Sequence, residues 1–70
     1  MKLTVNGRPH ESDAPDLDTL FRQEAEETGI DGPQGIAIAV NGAVIRRRDW
    51  AETRLAEGDR VEIVRAMQGG

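Results

Sequence analysis

Ile36-Ala37-Ile38-Ala39-Val40-Asn41-Gly42-Ala43-Val44-Ile45 is the stretch that decides the fold. Ile36, Ile38 and Val40 alternate with Ala37 and Ala39, and a period of two is the signature of a strand. All five residues are apolar, so both faces are expected to be at least partly covered and the strand to lie centrally in a sheet. Asn41-Gly42 then predicts a tight hairpin, because a type I′ turn needs positive φ at both central positions. The return strand is short, residues 43 to 46.

Working outward towards the N-terminus, residues 29 to 35 (GIDGPQG) read as a loop by composition. Before them Leu17, Leu20, Phe21 and Ala25 share one helical face, which predicts an amphipathic helix from 17 to 28. Asp16 stands where an N-cap oxygen is needed and Gly29 where a helix ends in the left-handed region. Earlier still, Leu3 and Val5 alternate with polar neighbours, and Asn6-Gly7 is a second hairpin signal. Pro9 cannot donate to a ladder, so the return strand at 8 to 12 is expected at a sheet edge.

Towards the C-terminus, residues 47 to 55 fit a short helical turn carrying Trp50 and Leu55. Glu57-Gly58-Asp59 reads as a tight turn. Val61, Ile63 and Val64 mark a last strand from 60 to 66. The order ββαββ, short helix, β has one full helix to cover one sheet. The compact solution is an α+β domain, a mixed sheet of about five strands with the helix across one face. A β-grasp, or ubiquitin-like, roll satisfies this, whereas a ferredoxin-like arrangement wants a second full helix. Residues 1–66 are expected to form the domain and 67–70 a flexible tail ending in Gly-Gly.

The chain has 70 residues and a net charge of −4, enough for one small domain with a thin core. It has no cysteine, which removes disulfides, thiolate metal sites and a Cys nucleophile, and fits a reducing cytoplasm. No stretch approaches the roughly 20 apolar residues of a membrane span, and the first ten residues turn polar too soon for a signal peptide. A pI of about 4.8 argues against a nucleic-acid partner. Charge is uneven. Residues 11–31 hold eight of the thirteen acids and one arginine, and residues 46–65 hold six arginines and five acids. Such faces suit protein partners.

Catalytic constellations are sparse. His10 is the only histidine, and pairing it with Ser12 as base and nucleophile is less economical than a solvated residue on an edge strand. Asp16, Asp18, Glu24, Glu26 and Glu27 are expected on the solvent face of the helix, with no spacing that suggests a metal. The glycines at 29, 32 and 35 lack the lysine of a phosphate loop. Arg46, Arg47 and Arg48 suit a solvated helix start or an acidic partner. Trp50 and Phe21 are the only aromatics and are expected in the core.

The remaining signal is the C-terminus. Two terminal glycines arise by chance in about 0.5% of chains at average composition, so alone they mean little. Their chemistry becomes specific if the Gly70 carboxylate reacts. Transfer to the α-phosphate of ATP would give it a leaving group, and a tail without β-carbons can thread a narrow channel.

The segment from Val40 to Gly70 resembles the second half of the ThiS family of sulfur carriers in thiamine biosynthesis. The matching residues are Asn41-Gly42, Arg47, Trp50, Leu55, Gly58-Asp59, Val61, Ile63 and Gly69-Gly70. The first half is similar more loosely, through Val5-Asn6-Gly7 and Leu20-Phe21. Arg46 stands where many relatives have Pro, and the 29–35 linker is longer than in some. The resemblance implies a β-grasp fold and a carrier that is no enzyme and binds no cofactor itself. It implies that Gly70 is adenylated by a ThiF-type, ubiquitin-activating-like enzyme using ATP and Mg²⁺. A persulfide donor then supplies sulfur, and a ThiG-type thiazole synthase accepts it from the thiocarboxylate. Met67, Gln68 and Gly69 would thread into the partner, with Arg47 and Arg65 as partner contacts. The molybdopterin synthase small subunit and ubiquitin-like modifiers share the Gly-Gly tail and stand as alternatives. A plain interaction module with an inert tail is the alternative outside that chemistry.

Overall fold

The computed structural model describes residues 1–30, 32 and 34–65. Its elements are β1 (Lys2–Val5), β2 (Arg8–Glu11), α1 (Leu17–Thr28), β3 (Ile36–Val40), β4 (Ala43–Ile45), a 3₁₀ helix (Arg47–Glu52) and β5 (Arg60–Arg65). The five strands form one mixed sheet in the order β2-β1-β5-β3-β4. β1 and β5 are parallel, and the other three pairings are antiparallel. Helix α1 crosses one face, which is the β-grasp arrangement expected from the element order.

Both hairpins form as predicted. Asn6 and Gly7 sit at φ 52° and 79°, and Asn41 and Gly42 at 51° and 86°, the double positive φ that the type I′ turn demands. β2 with its proline occupies one edge of the sheet, again as predicted. α1 spans the predicted residues. Asp16 Oδ1 accepts the Thr19 N–H at 2.8 Å, and Gly29 at φ 76° returns its N–H to the Ala25 carbonyl. Asp16 is thereby held below its ordinary carboxylate value of 3.8, first by the Thr19 backbone N–H and next by the Thr19 side chain.

Two expectations are corrected. β3 lies inside the sheet as expected, paired with β5 and β4, but it is not covered on both faces. Ile38 is buried towards α1, while Ala37 is exposed on the open face. Alanine presents so little apolar area that an open face tolerates it, so an all-apolar run overstates coverage. The short helical element is a 3₁₀ helix that ends at Glu52, leaving Leu55 beyond it.

The core lies between the sheet and α1. Leu3, Val5, Ile38 and Val61 supply the sheet side, and Leu17, Leu20 and Phe21 the helix side. Trp50 closes one end, 1% exposed, with its ring centroid 5.1 Å from that of Phe21. Its indole N–H donates to the Ile45 carbonyl at 2.9 Å, so the one polar atom of the ring is satisfied.

Candidate functional site

β5 delivers the chain to the candidate site. It is held on one side by β3 over five residue pairs, from Val40 opposite Val61 to Ile36 opposite Arg65. On the other side it pairs with β1 at Thr4 and Val5. Arg65 is therefore a fixed point at one pole of the domain. Met67, Gln68, Gly69 and Gly70, the predicted threading and attachment residues, lie outside the described residues.

The pole around Arg65 is a cleft of about 600 Å³. Ile30 and Ile36 lie at its apolar side, Gln34 is at its lip, and Arg47 and Arg65 both line it. Two residues 18 positions apart, singled out from sequence as partner contacts, are thus brought to one cleft. Arg47 arrives there because the 3₁₀ helix starts directly after the β4 edge strand. Arg65 arrives as the last ladder residue of β5. Both are exposed, and among the described residues neither forms an ion pair. A second hollow shares Ile30, Gly32 and Arg47 and runs on towards Phe21, Ala25 and Arg22 on α1. Arg46 and Arg48 are exposed but do not line the cleft.

The open face of the sheet adds a feature the sequence reading missed. Val44 and Val64 are 74% and 54% exposed, the large apolar side chains that the fold leaves in water. Val64 is paired with Ala37, and Val44 with Ala39, so the four residues form an apolar patch across β4, β3 and β5. The patch abuts the pole where the chain leaves β5. Its signal was present in the sequence, since Val44 and Val64 each adjoin an inward isoleucine and must face the other way.

The opposite side of the molecule corrects two further expectations. His10 is half-buried, facing α1 from β2, with Nε2 3.4 Å from Glu24 Oε2. Glu24 is drawn under the edge strand and is not a solvent-face residue, and its Oε2 has no hydrogen-bond donor among the described residues. The parity of β2 explains both. His10 pairs with the buried Leu3, so its ring must point to the helix side. Ser12 is spoken for as well. Its hydroxyl donates to Gln23 and accepts from the Ala14 N–H. No His10–Ser12 nucleophile pair is assembled. Among the described residues no three His, Cys, Asp or Glu side chains converge on a metal position, and no helix is long and apolar enough to cross a membrane.

The chain matches the ThiS family over residues 3–70. A crystal structure of the thiamine biosynthesis protein ThiS from Geobacter metallireducens is similar at a TM-score of 0.72 and 31% identity, with 100% of each chain covered. A solution structure of a thiamine biosynthesis protein from the same organism is similar at 0.68 and 27% identity, covering 100% of this chain and 88% of that one. No curated protein matches closely enough to count as a relative. A family match running from β1 to the last glycine, on a sheet and helix arranged as in a solved ThiS, places the chain in the ThiS family.

Proposed function

We infer that this protein is a sulfur carrier of thiamine biosynthesis that works through the carboxylate of Gly70. The observation that carries the reading is the family match, which runs over residues 3–70 and so takes in Gly69-Gly70. A carrier needs no catalytic side chains of its own.

In this reading a Gly70 carboxylate oxygen attacks the α-phosphorus of ATP on a ThiF-type enzyme, and pyrophosphate leaves with Mg²⁺. The terminal sulfur of a persulfide then displaces AMP from the acyl-adenylate. A thiol cleaves the sulfur–sulfur bond and leaves the thiocarboxylate, which a ThiG-type thiazole synthase consumes. Met67, Gln68 and Gly69 thread the enzyme channel. Arg47 and Arg65, at the root of the tail, meet acidic groups of the partner, and the Val44–Val64 patch gives the partner an apolar seat. The setting is cytoplasmic.

The experiment combines the protein with the activating enzyme, ATP, Mg²⁺ and a sulfur donor, followed by intact-mass analysis. The parent should exchange one oxygen for one sulfur. Deleting Gly70, or adding one Ala after it, should leave the thermal midpoint unchanged and abolish the exchange. One residue moves the carboxylate by more than about 3 Å, and about 1 Å of misplacement already costs ~10²-fold in rate. An extended chain that gains sulfur as fast as the parent would refute tail threading. Conjugates on lysines in place of sulfur would make the protein a modifier.

A further inference from the structure

We propose that the fold segregates every amine of the chain to the pole opposite the reacting tail, and that this keeps the activated C-terminus from acylating its own protein. The inference rests on the carrier reading. Positive charge is carried by eight arginines and a single lysine, Lys2, and there is no cysteine. The only amines are therefore the Lys2 side chain and the N-terminal amino group.

The sheet fixes where they lie. β1 runs parallel to β5 with Thr4 beside Arg60 and Val5 beside Val61. Lys2 is thus two positions beyond the Arg60 end of β5, and Arg65 is at the other end. Seven strand positions at about 3.3 Å each put the Lys2 backbone about 23 Å from Arg65 along the sheet. Five residues, the number from 66 to 70, reach at most about 18 Å when fully stretched, and a random chain of five residues spans about 12 Å. Only a tail stretched fully and laid straight back along the sheet, with the Lys2 side chain extended to meet it, would bring the two ends together. The N-terminal ammonium lies at the same far pole and is held by the Ser12 carbonyl at 2.8 Å and the Glu11 carboxylate at 3.2 Å.

The chemistry gives the separation its meaning. An acyl-adenylate is attacked by any neutral amine in reach. The new C–N bond forms, the C–O bond to AMP breaks, the amine proton goes to solvent, and the resulting amide ends the carrier's use. A lysine tethered near the tail would act at a millimolar effective concentration, ahead of an exogenous sulfur donor at lower concentration. Beside the tail root the chain places Arg47 and Arg65 instead. Guanidinium stays protonated at all physiological pH values, so it supplies charge without a nucleophile. The arrangement makes the carrier selective for sulfur over its own nitrogen.

The test moves an amine to the tail. Gln34 is exposed and lines the cleft with Arg65, and it is assigned no part in partner recognition. Parent and Gln34→Lys proteins are incubated with the adenylating enzyme, ATP and Mg²⁺ at mildly alkaline pH without sulfur donor, then weighed intact. The variant should accumulate a species lighter by one water, an internal amide, at least about tenfold faster than the parent. Tandem mass analysis should place the bond between Lys at position 34 and Gly70. Parallel reactions with hydroxylamine report activation itself, because a trapped adenylate becomes a hydroxamate. Hydroxamate in both proteins with no internal amide in the variant would overturn the proposal, as would an amide at Lys2 in the parent at the variant's rate. No hydroxamate in the parent would instead sink the carrier reading on which it stands.

Discussion

The two turn asparagines do more than turn. Asn6 Oδ1 accepts the Ile63 N–H at 2.8 Å, and Asn41 Oδ1 accepts the Arg60 N–H at 2.9 Å. Both hairpins are thereby pinned to β5, the strand that carries the tail. Asn41 Nδ2 also donates to Asp59, whose other oxygen takes the Ala56 N–H and closes the turn before β5. Asp16 is the other residue whose side chain defines an element. Its folded carboxyl lies below 3.8, so its contribution is present above that value and is lost as pH falls through the folded value. Replacing Asp16 with Ala should lower the thermal midpoint at neutral pH and flatten the loss of stability below about pH 4, measured by circular dichroism melts. The cap and the turns were legible because each needs a particular residue in a particular local geometry. The side-chain bonds to β5 were not, since they join residues up to 57 positions apart. The inward turn of His10 was within reach of the sequence, because a two-residue Asn6-Gly7 loop sets Val5 opposite Arg8 and so the inward Leu3 opposite His10.

At the level of elements, the 3₁₀ helix exists to seat Trp50. Six residues are too few to be stable alone, and their fixed point is a buried indole against Phe21 with its N–H on the Ile45 carbonyl. Trp50→Ala should cost about 3–5 kcal/mol, read from urea unfolding. That is most of what a domain of this size has to lose. An unchanged midpoint would mean the ring packs nothing. The element also presents Arg47, so a Trp50 variant that stays folded should lose partner affinity too. Every strand and the helix were readable from period and turn residues. What failed was coverage. The run from Ile36 to Val40 is apolar throughout, yet its alanines face outward beside Val44 and Val64, and apolarity alone does not say which face has a partner.

Across the whole molecule, charge and apolar surface are sorted by pole. Arg47, Arg65 and the valine patch gather where the tail begins, and the acids around Glu24 and Glu27 line the far side with His10. Steering by the two arginines predicts that replacing Arg47 and Arg65 with Glu slows adenylation at low salt while the melting curve stays that of the parent. Raising ionic strength should close most of the gap between the two proteins, and equal rates at low salt would remove steering from the account. This sorting was only half legible. The sequence showed where arginines cluster along the chain, and only the topology shows that residue 47 meets residue 65. The same topology has a mechanical consequence. β5 is the middle strand, so a load drawn along it from Arg65 falls lengthwise on the β3–β5 ladder, with five residue pairs sharing the force at once. A pull across an edge strand would open one pair at a time. Pulled along β5, this small domain resists in shear, and the strands behind Arg65 stay paired.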